Sequence, residues 1–405
     1  MFGNVATMTG PLEGIQVVDF SRFLPGPLAA LALADLGAEV VKVEGVPHGD
    51  QVRRMGASGE QSSLAFIALN QNKRSLQVDH RSPEGQDVVR ALVRASDVFV
   101  EASPPGSLAK FGLDAERLRD VNPRLVYCSL SAYGDTGPLG GWPGHGYNIE
   151  ANAGLVQVSV DPDGALRLPE YSMLPANLNT GYQAAMAVAA ALVRVARTGQ
   201  GAVVHVAAFD AGVCLNPNDA AHVLNGVPHD TAIGTRATPK YAAYRTKDGR
   251  AILIATLEPR YWRALCELLA RPDLVDEHRD DLGSDYGHDR PHLYDILAAE
   301  FAARTLDEWM DLVALHPLPV SPIAELDRVV AGSQFAAREL TRTTTSASGA
   351  TVQTVRSPIV YDGARLGAEG RWSELGEDSD AVLRRIGYSD SEIDGLVARG
   401  VVRRG

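Results

Sequence analysis

The sequence predicts an α/β protein built on an open, mostly parallel sheet, and three observations point there. Short β-branched runs alternate with longer Ala/Leu-rich stretches, Gly- and Pro-containing turns separate them, and the spacing suits strand–helix–strand units that close right-handedly.

The elements follow in order. Ile15-Gln-Val-Val-Asp-Phe20 reads as a strand, Leu24-Pro-Gly-Pro27 as a turn, and Leu28 to Leu36 as a helix. After Gly37, the alternating Glu39-Val-Val-Lys-Val-Glu44 makes a second strand, which completes a βαβ unit. Ser75 to Val78, Val98 to Glu101 and Leu125 to Leu130 read as further strands, with a helix over Pro83 to Ala95. Tyr182 to Arg197 is a long helix, Thr198-Gly-Gln-Gly201 its stop, and Ala202 to Ala207 the next strand. Ligands of such sheets bind at the carboxyl ends of the strands.

The central stretch changes character. Tyr241 to Ala255 reads as a hairpin around Lys247-Asp-Gly-Arg250, followed by charged helices. Beyond Pro319 the apolar periodicity lapses until Ala381 to Ile386 and Ser391 to Ala398, which read as a C-terminal helical pair. The expected division is 1–225 for the first part of a large domain, 226–318 for a small α+β domain, and 319–405 for a linker and C-terminal part.

Composition excludes several classes. With 405 residues, 45% of them apolar and 22% charged, the chain has room for two cores of ordinary globular type. A net charge of -12 argues against broad nucleic-acid binding, which needs a basic footprint. Cys128, Cys214 and Cys266 are widely spaced, and His205, His222 and His316 lack metal-ligand spacing, so neither a disulfide framework nor a metal site is indicated. The most apolar segment, Tyr182 to Val195, is interrupted by Gln183 and Arg194, so no membrane span or secretory leader is expected and the cytoplasm is the expected location.

Several strings, taken in order, carry a resemblance. Pro11 to Phe20, Leu33-Ala-Asp-Leu-Gly-Ala-Glu-Val-Val-Lys-Val-Glu44, Asn72-Lys-Arg-Ser75, Tyr133-Gly-Asp-Thr-Gly-Pro138, Thr198-Gly-Gln-Gly201 and Leu375-Gly-Glu-Asp378 are each weak alone. Their succession resembles the CaiB/BaiF (class III) CoA-transferase family, including its α-methylacyl-CoA racemase branch. The resemblance implies a Rossmann-like large domain built from both chain ends, a central small domain, and two chains interlocked as a dimer. It also implies acyl-CoA and carboxylic acid substrates, with coenzyme A as a substrate and no permanently bound cofactor.

The family's transferase chemistry uses an aspartate. Its carboxylate attacks the thioester carbonyl and expels CoA thiolate; the thiolate then attacks the resulting anhydride, leaving an enzyme–CoA thioester and releasing the acid. In the matching string Ala176-Asn-Leu-Asn-Thr-Gly181, Asn177 occupies that position, and an amide offers no ionisable oxygen. Gly45 and Pro104 stand where the family commonly places arginines on the CoA nucleotide, and Leu139 and Gly140 where a lysine often follows. Losing two such arginines would weaken binding by roughly 2–4 kcal/mol. Lys73, Arg74, Lys110 and Gly144 remain as candidate CoA-binding residues by this resemblance; without it the three cations read as plain surface charges. In Pro143-Gly-His-Gly-Tyr-Asn148, His145 matches the racemase histidine, and Glu258 of Leu257-Glu-Pro-Arg-Tyr261 its supporting glutamate.

These departures imply the non-nucleophilic subunit of a heteromer, paired with a paralogous chain that carries the aspartate, as in transferases acting on benzylsuccinate-type acids. The alternatives are a homodimeric transferase or racemase-like enzyme using His145 and Glu258, or another carboxylate such as Glu150 or Glu170, and a non-enzymatic acyl-CoA binder. The acyl group is not legible.

Overall fold

The computed structural model describes residues 10–56, 62–169, 173–227, 236–278, 283–366 and 369–405. The chain divides into two compact units, Met1–Ala220 with Glu339–Gly405, and Ala221–Arg338.

In the first unit β1 (Gln16–Asp19), β2 (Glu39–Gly45), β3 (Lys73–Val78), β4 (Val98–Glu101), β5 (Val126–Ser131) and β6 (Ala202–Ala207) run parallel. Their order is β3-β2-β1-β4-β5-β6, so the winding reverses between β1 and β4. That reversal leaves a crevice at the carboxyl ends of these two strands. The last strand of the chain, Val402–Arg403, adds antiparallel beside β3 and brings the C-terminus into the same sheet.

Both faces of the sheet are covered, which explains the near-continuous valine in its strands. Val18, Val41, Leu76 and Phe99 point to one face, where they meet Val382, Leu383, Ile393 and Leu396 of the C-terminal helices Ser379–Arg385 and Asp390–Ala398. Val17, Val40, Val98 and Val126 point to the other, against helix α1 (Pro25–Asp35) and the long helix α2 (Pro175–Thr198). These two helices touch closely: a Cβ on Gly181 would lie 2.8 Å from the carbonyl oxygen of Pro25. Helix α2 begins at Pro175, ahead of Tyr182, where the apolar periodicity placed its start.

The segment in which sequence periodicity lapses is structured. Thr341–Thr345 pairs antiparallel with Thr351–Val355 and parallel with Glu369–Arg371. Its inward positions are polar, Arg342 and Thr344, so no apolar alternation marks it. Arg342 reaches Asp35 at 2.6 Å, and Thr344 donates to Gln71 at 2.8 Å.

In the second unit Tyr241–Arg245 and Ala251–Ala255 form the hairpin, turning at Gly249 with φ 78, and Val320–Pro322 adds a third antiparallel strand. That strand keeps the chain in this unit as far as Arg338, past the expected boundary at 318. Trp262, Phe301 and Trp309, all buried, form its core with helices Pro259–Leu268, His292–Phe301 and Leu306–Leu315. No helix among the described residues is long and apolar enough to cross a membrane.

Candidate active site

A cleft of about 450 Å3 opens at the sheet's crevice. Residues at or just past the ends of four strands line it: Phe20 and Arg22 after β1, the Gly45–Gln51 stretch from the end of β2 onward, Asp79 to Arg81 after β3, and Ser103 and Pro104 after β4. Gly45 and Pro104, the two positions where the resemblance led us to expect arginines, thus face one cavity. The cations that do line it are Arg22, Arg81 and Lys110, with His48 and His80. Burial, with Arg81 beside it, holds the His80 imidazole below its ordinary pKa. Arg22 and Arg81 escaped the sequence reading. The available signal was their position immediately beyond a strand's carboxyl end.

The loop after β2 is held from below. Arg53 forks onto the buried Glu44 carboxylate, Nε to Oε1 at 2.8 Å and Nη2 to Oε2 at 2.7 Å, while its guanidinium lies 3.8 Å from the Phe66 ring centroid. Glu44 also accepts from the amide of Asp50 and the hydroxyl of Ser75, both at 3.0 Å. Burial opposes ionisation of Glu44, but these contacts prevail and lower its pKa.

Lys73 belongs to this underlying frame, a correction to its expected contact with ligand. It is 4% exposed, and its ammonium donates to Asp19 Oδ2 at 2.8 Å, the Pro27 carbonyl at 2.8 Å and Asn70 Oδ1 at 2.9 Å. Those contacts use all three of its donors. Lys42 joins from the other side, 3.8 Å from Asp19 and 3.2 Å from Asp50. Burial pushes the Lys73 ammonium down to about 8; it also works against ionised Asp19, yet Lys42 and Lys73 hold that carboxyl at about 2. Arg74 is exposed near the start of β3, the end away from the cleft. Lys110 is exposed at the cleft, 4.9 Å from the Phe111 ring centroid.

A larger cavity of about 610 Å3 lies past β4, β5 and β6, lined by Glu101, Ser129, Ser131, His205 and the Gly134 to Leu139 loop. The segment after β4 serves both cavities: Ser103, Pro104 and Ser107 face the first, Pro105 and Gly106 the second. Burial raises the Glu101 carboxyl above its usual range.

The predicted reaction centre lies at the first turn of α2. Pro175 opens the helix and Leu174 before it supplies no capping side chain. The cap comes instead from Glu150, on the short helix Tyr147–Asn152: Oε2 accepts from the amide of Ala176 at 2.9 Å, and Oε1 from that of Asn177 at 3.2 Å. Asn177 Nδ2 also donates to Oε1, at 3.0 Å. His145 starts the loop into that short helix, exposed, with its ring edge-on to Phe23 at 6.0 Å between centroids. Phe23 itself has φ 66, a left-handed conformation unusual for a bulky residue and costly unless its surroundings hold it there. Gly144 is a packing glycine, since a Cβ there would lie 2.9 Å from Ala132 Cβ and 3.0 Å from Tyr133 Cε2.

Of the other carboxylates considered, Glu258 stands before helix Pro259–Leu268 in the second unit, and its side chain does not cap that helix. Glu170 lies outside the described residues. Among the described residues, no group of three or more His, Cys, Asp and Glu side chains could hold a metal ion.

The comparisons agree with this architecture. The family described as CoA-transferase family III matches residues 12–379. The chain belongs to that family. As a family III member it handles CoA thioesters as substrates rather than holding a resident cofactor. It is 32% identical to the succinate–glutarate CoA-transferase of Agrobacterium fabrum over 388 residues, 93% of this chain and 96% of that one. It is 30% identical to the succinyl-CoA:glutarate CoA-transferase of Mus musculus, covering 97% and 91%. A crystal structure of a CAIB/BAIF family protein from Brucella suis superposes with a TM-score of 0.78 at 31% identity, covering 94% of this chain and 100% of that one. That of Rv3272 from Mycobacterium tuberculosis gives 0.79 at 31%, covering 92% and 99%.

Proposed function

We propose that this chain is the non-nucleophilic subunit of a class III acyl-CoA:carboxylate CoA-transferase. It holds the CoA nucleotide in the cleft lined by Arg22, Arg81 and Lys110, and it relies on a paralogous chain, interlocked with it, for the attacking aspartate. The observation that carries this reading is the first turn of α2, where the position of the nucleophile holds Asn177, tied through its amide nitrogen to a buried carboxylate. A carboxamide cannot form the anhydride on which transfer depends. Nor can it serve as the acid or base partner of His145 in racemisation. Glu150 offers no replacement, since it is 1% exposed and its two oxygens already accept three N–H groups. The names of the relatives suggest short dicarboxylic acyl groups as the first substrates to try.

The test is to purify the protein from its native source and determine by native mass spectrometry whether it contains one kind of chain or two. The homo-oligomer should then be assayed with succinyl-CoA and glutarate. Two kinds of chain, with turnover only in the mixed complex, are expected. Full turnover by this chain alone, with a CoA thioester trapped on one of its own carboxylates, would overturn the reading.

A further inference from the structure

The carboxylate that ties down Asn177 does more than cap a helix. Ionised Glu150 only accepts hydrogen bonds, so the Asn177 amide must turn Nδ2 toward it and Oδ1 away. No described residue donates to that Oδ1. The site therefore presents a neutral carbonyl oxygen, while the negative charge sits one layer deeper, against the two amides of the helix start.

We infer that Glu150 is a positioning residue that fixes position 177 as an amide: a charged Glu150 and a nucleophilic carboxylate at 177 exclude one another at neutral pH. The inference rests on the reading of 177 as the nucleophile's position. An aspartate placed there would set a second carboxylate oxygen about 3 Å from Oε1, and two such groups share a proton rather than both ionise. Restoring the acid alone is thus insufficient. Glutamine at 150 would keep its oxygen for the Ala176 amide, at the Oε2 place, and turn its NH2 donor toward the new aspartate at the Oε1 place, so that acid and amide exchange places.

Three variants test this: N177D, E150Q and E150Q/N177D, each compared with the unaltered chain. Their melting temperatures are measured between pH 5 and pH 8. In N177D the shared proton raises a folded-state carboxyl pKa above its unfolded value, so stability present at pH 5 is lost as pH rises. Its melting temperature should match the unaltered chain at pH 5 and fall below it at pH 8, and E150Q/N177D should remove the deficit. A deficit in N177D that is independent of pH, or that E150Q does not relieve, overturns the inference, as does failure of N177D to fold at either pH without rescue.

Mass spectrometry after incubation with succinyl-CoA at pH 7.5 gives the second readout. The double variant should carry at least tenfold more aspartyl-CoA thioester than N177D. If the melting temperatures behave as expected but the double variant forms no thioester, the coupling of Glu150 to 177 stands, and the placement of the nucleophile at 177 falls.

Discussion

Gly45, the last residue of β2, and Pro104, on the loop after β4, line a single cleft at the carboxyl edge of the sheet. A Cβ at Gly45 would lie 3.4 Å from His80 Cε1, an ordinary contact, so an arginine side chain can enter the cleft there. A charged hydrogen bond to phosphate contributes roughly 1.5–3 kcal/mol before any discount for exposure. Gly45→Arg should therefore tighten CoA binding by about tenfold in isothermal titration, while Arg22→Ala should loosen it. Unchanged affinity in both variants would remove the nucleotide from this cleft.

Lys73 and Lys110 should respond oppositely to removal. Lys110→Ala strips an exposed charge from the cleft, so CoA affinity should drop several-fold with the melting temperature unaltered. Lys73→Ala leaves the buried Asp19 without its closest cation, with Lys42 at 3.8 Å as its remaining one, and breaking a buried ion pair costs about 3 kcal/mol or more. Denaturant unfolding distinguishes them. A Lys73→Ala protein of full stability would contradict the role given to this ion cluster.

The pKa of Asp19 supplies a pH dependence. Its folded value is about 2 against an ordinary 3.8, so ionised Asp19 stabilises the fold at all pH values above the unfolded pKa. That contribution, about 2 kcal/mol, is lost as pH falls from roughly 4 through 2. Carboxyl-carbon NMR of aspartate-labelled protein should show Asp19 still ionised at about pH 3. A midpoint near 4 would mean that Lys42 and Lys73 do not hold it.

The parallel sheet could be read from the chain because valine-rich strands buried on both faces announce themselves without any tertiary context, as Val40, Val41 and Val43 do. The first turn of α2 could not, since its cap, Glu150, arrives from another helix and leaves no local signature. The strand at Arg342 was invisible because its inward side chains are polar and depend on Asp35 and Gln71, far away in sequence. Lys73 misled for the same reason: a lysine in a polar string looks exposed until Asp19, Asn70 and the Pro27 carbonyl close around it. At the candidate site, the resemblance singled out Asn177, but its hydrogen bond to Glu150 joins two helices and has no local signature.

Gly181 joins the scaffold to the site. It lies in α2 where the helix crosses the start of α1, and a methyl group there would lie 2.8 Å from the Pro25 carbonyl and 3.0 Å from the Leu28 side chain. The first of these is backbone and cannot rotate away, so Gly181→Ala must push the two helices apart, at a cost of about 1–3 kcal/mol. Displacement at Pro25 would pass directly into the preceding loop, where Phe23 holds its left-handed conformation beside His145 and Arg22 faces the cleft. Gly181→Ala should consequently lower both the melting temperature and CoA affinity, although position 181 does not line the cleft. A loss of stability with CoA affinity untouched would show that the β1–α1 loop keeps its shape independently of the α1–α2 contact.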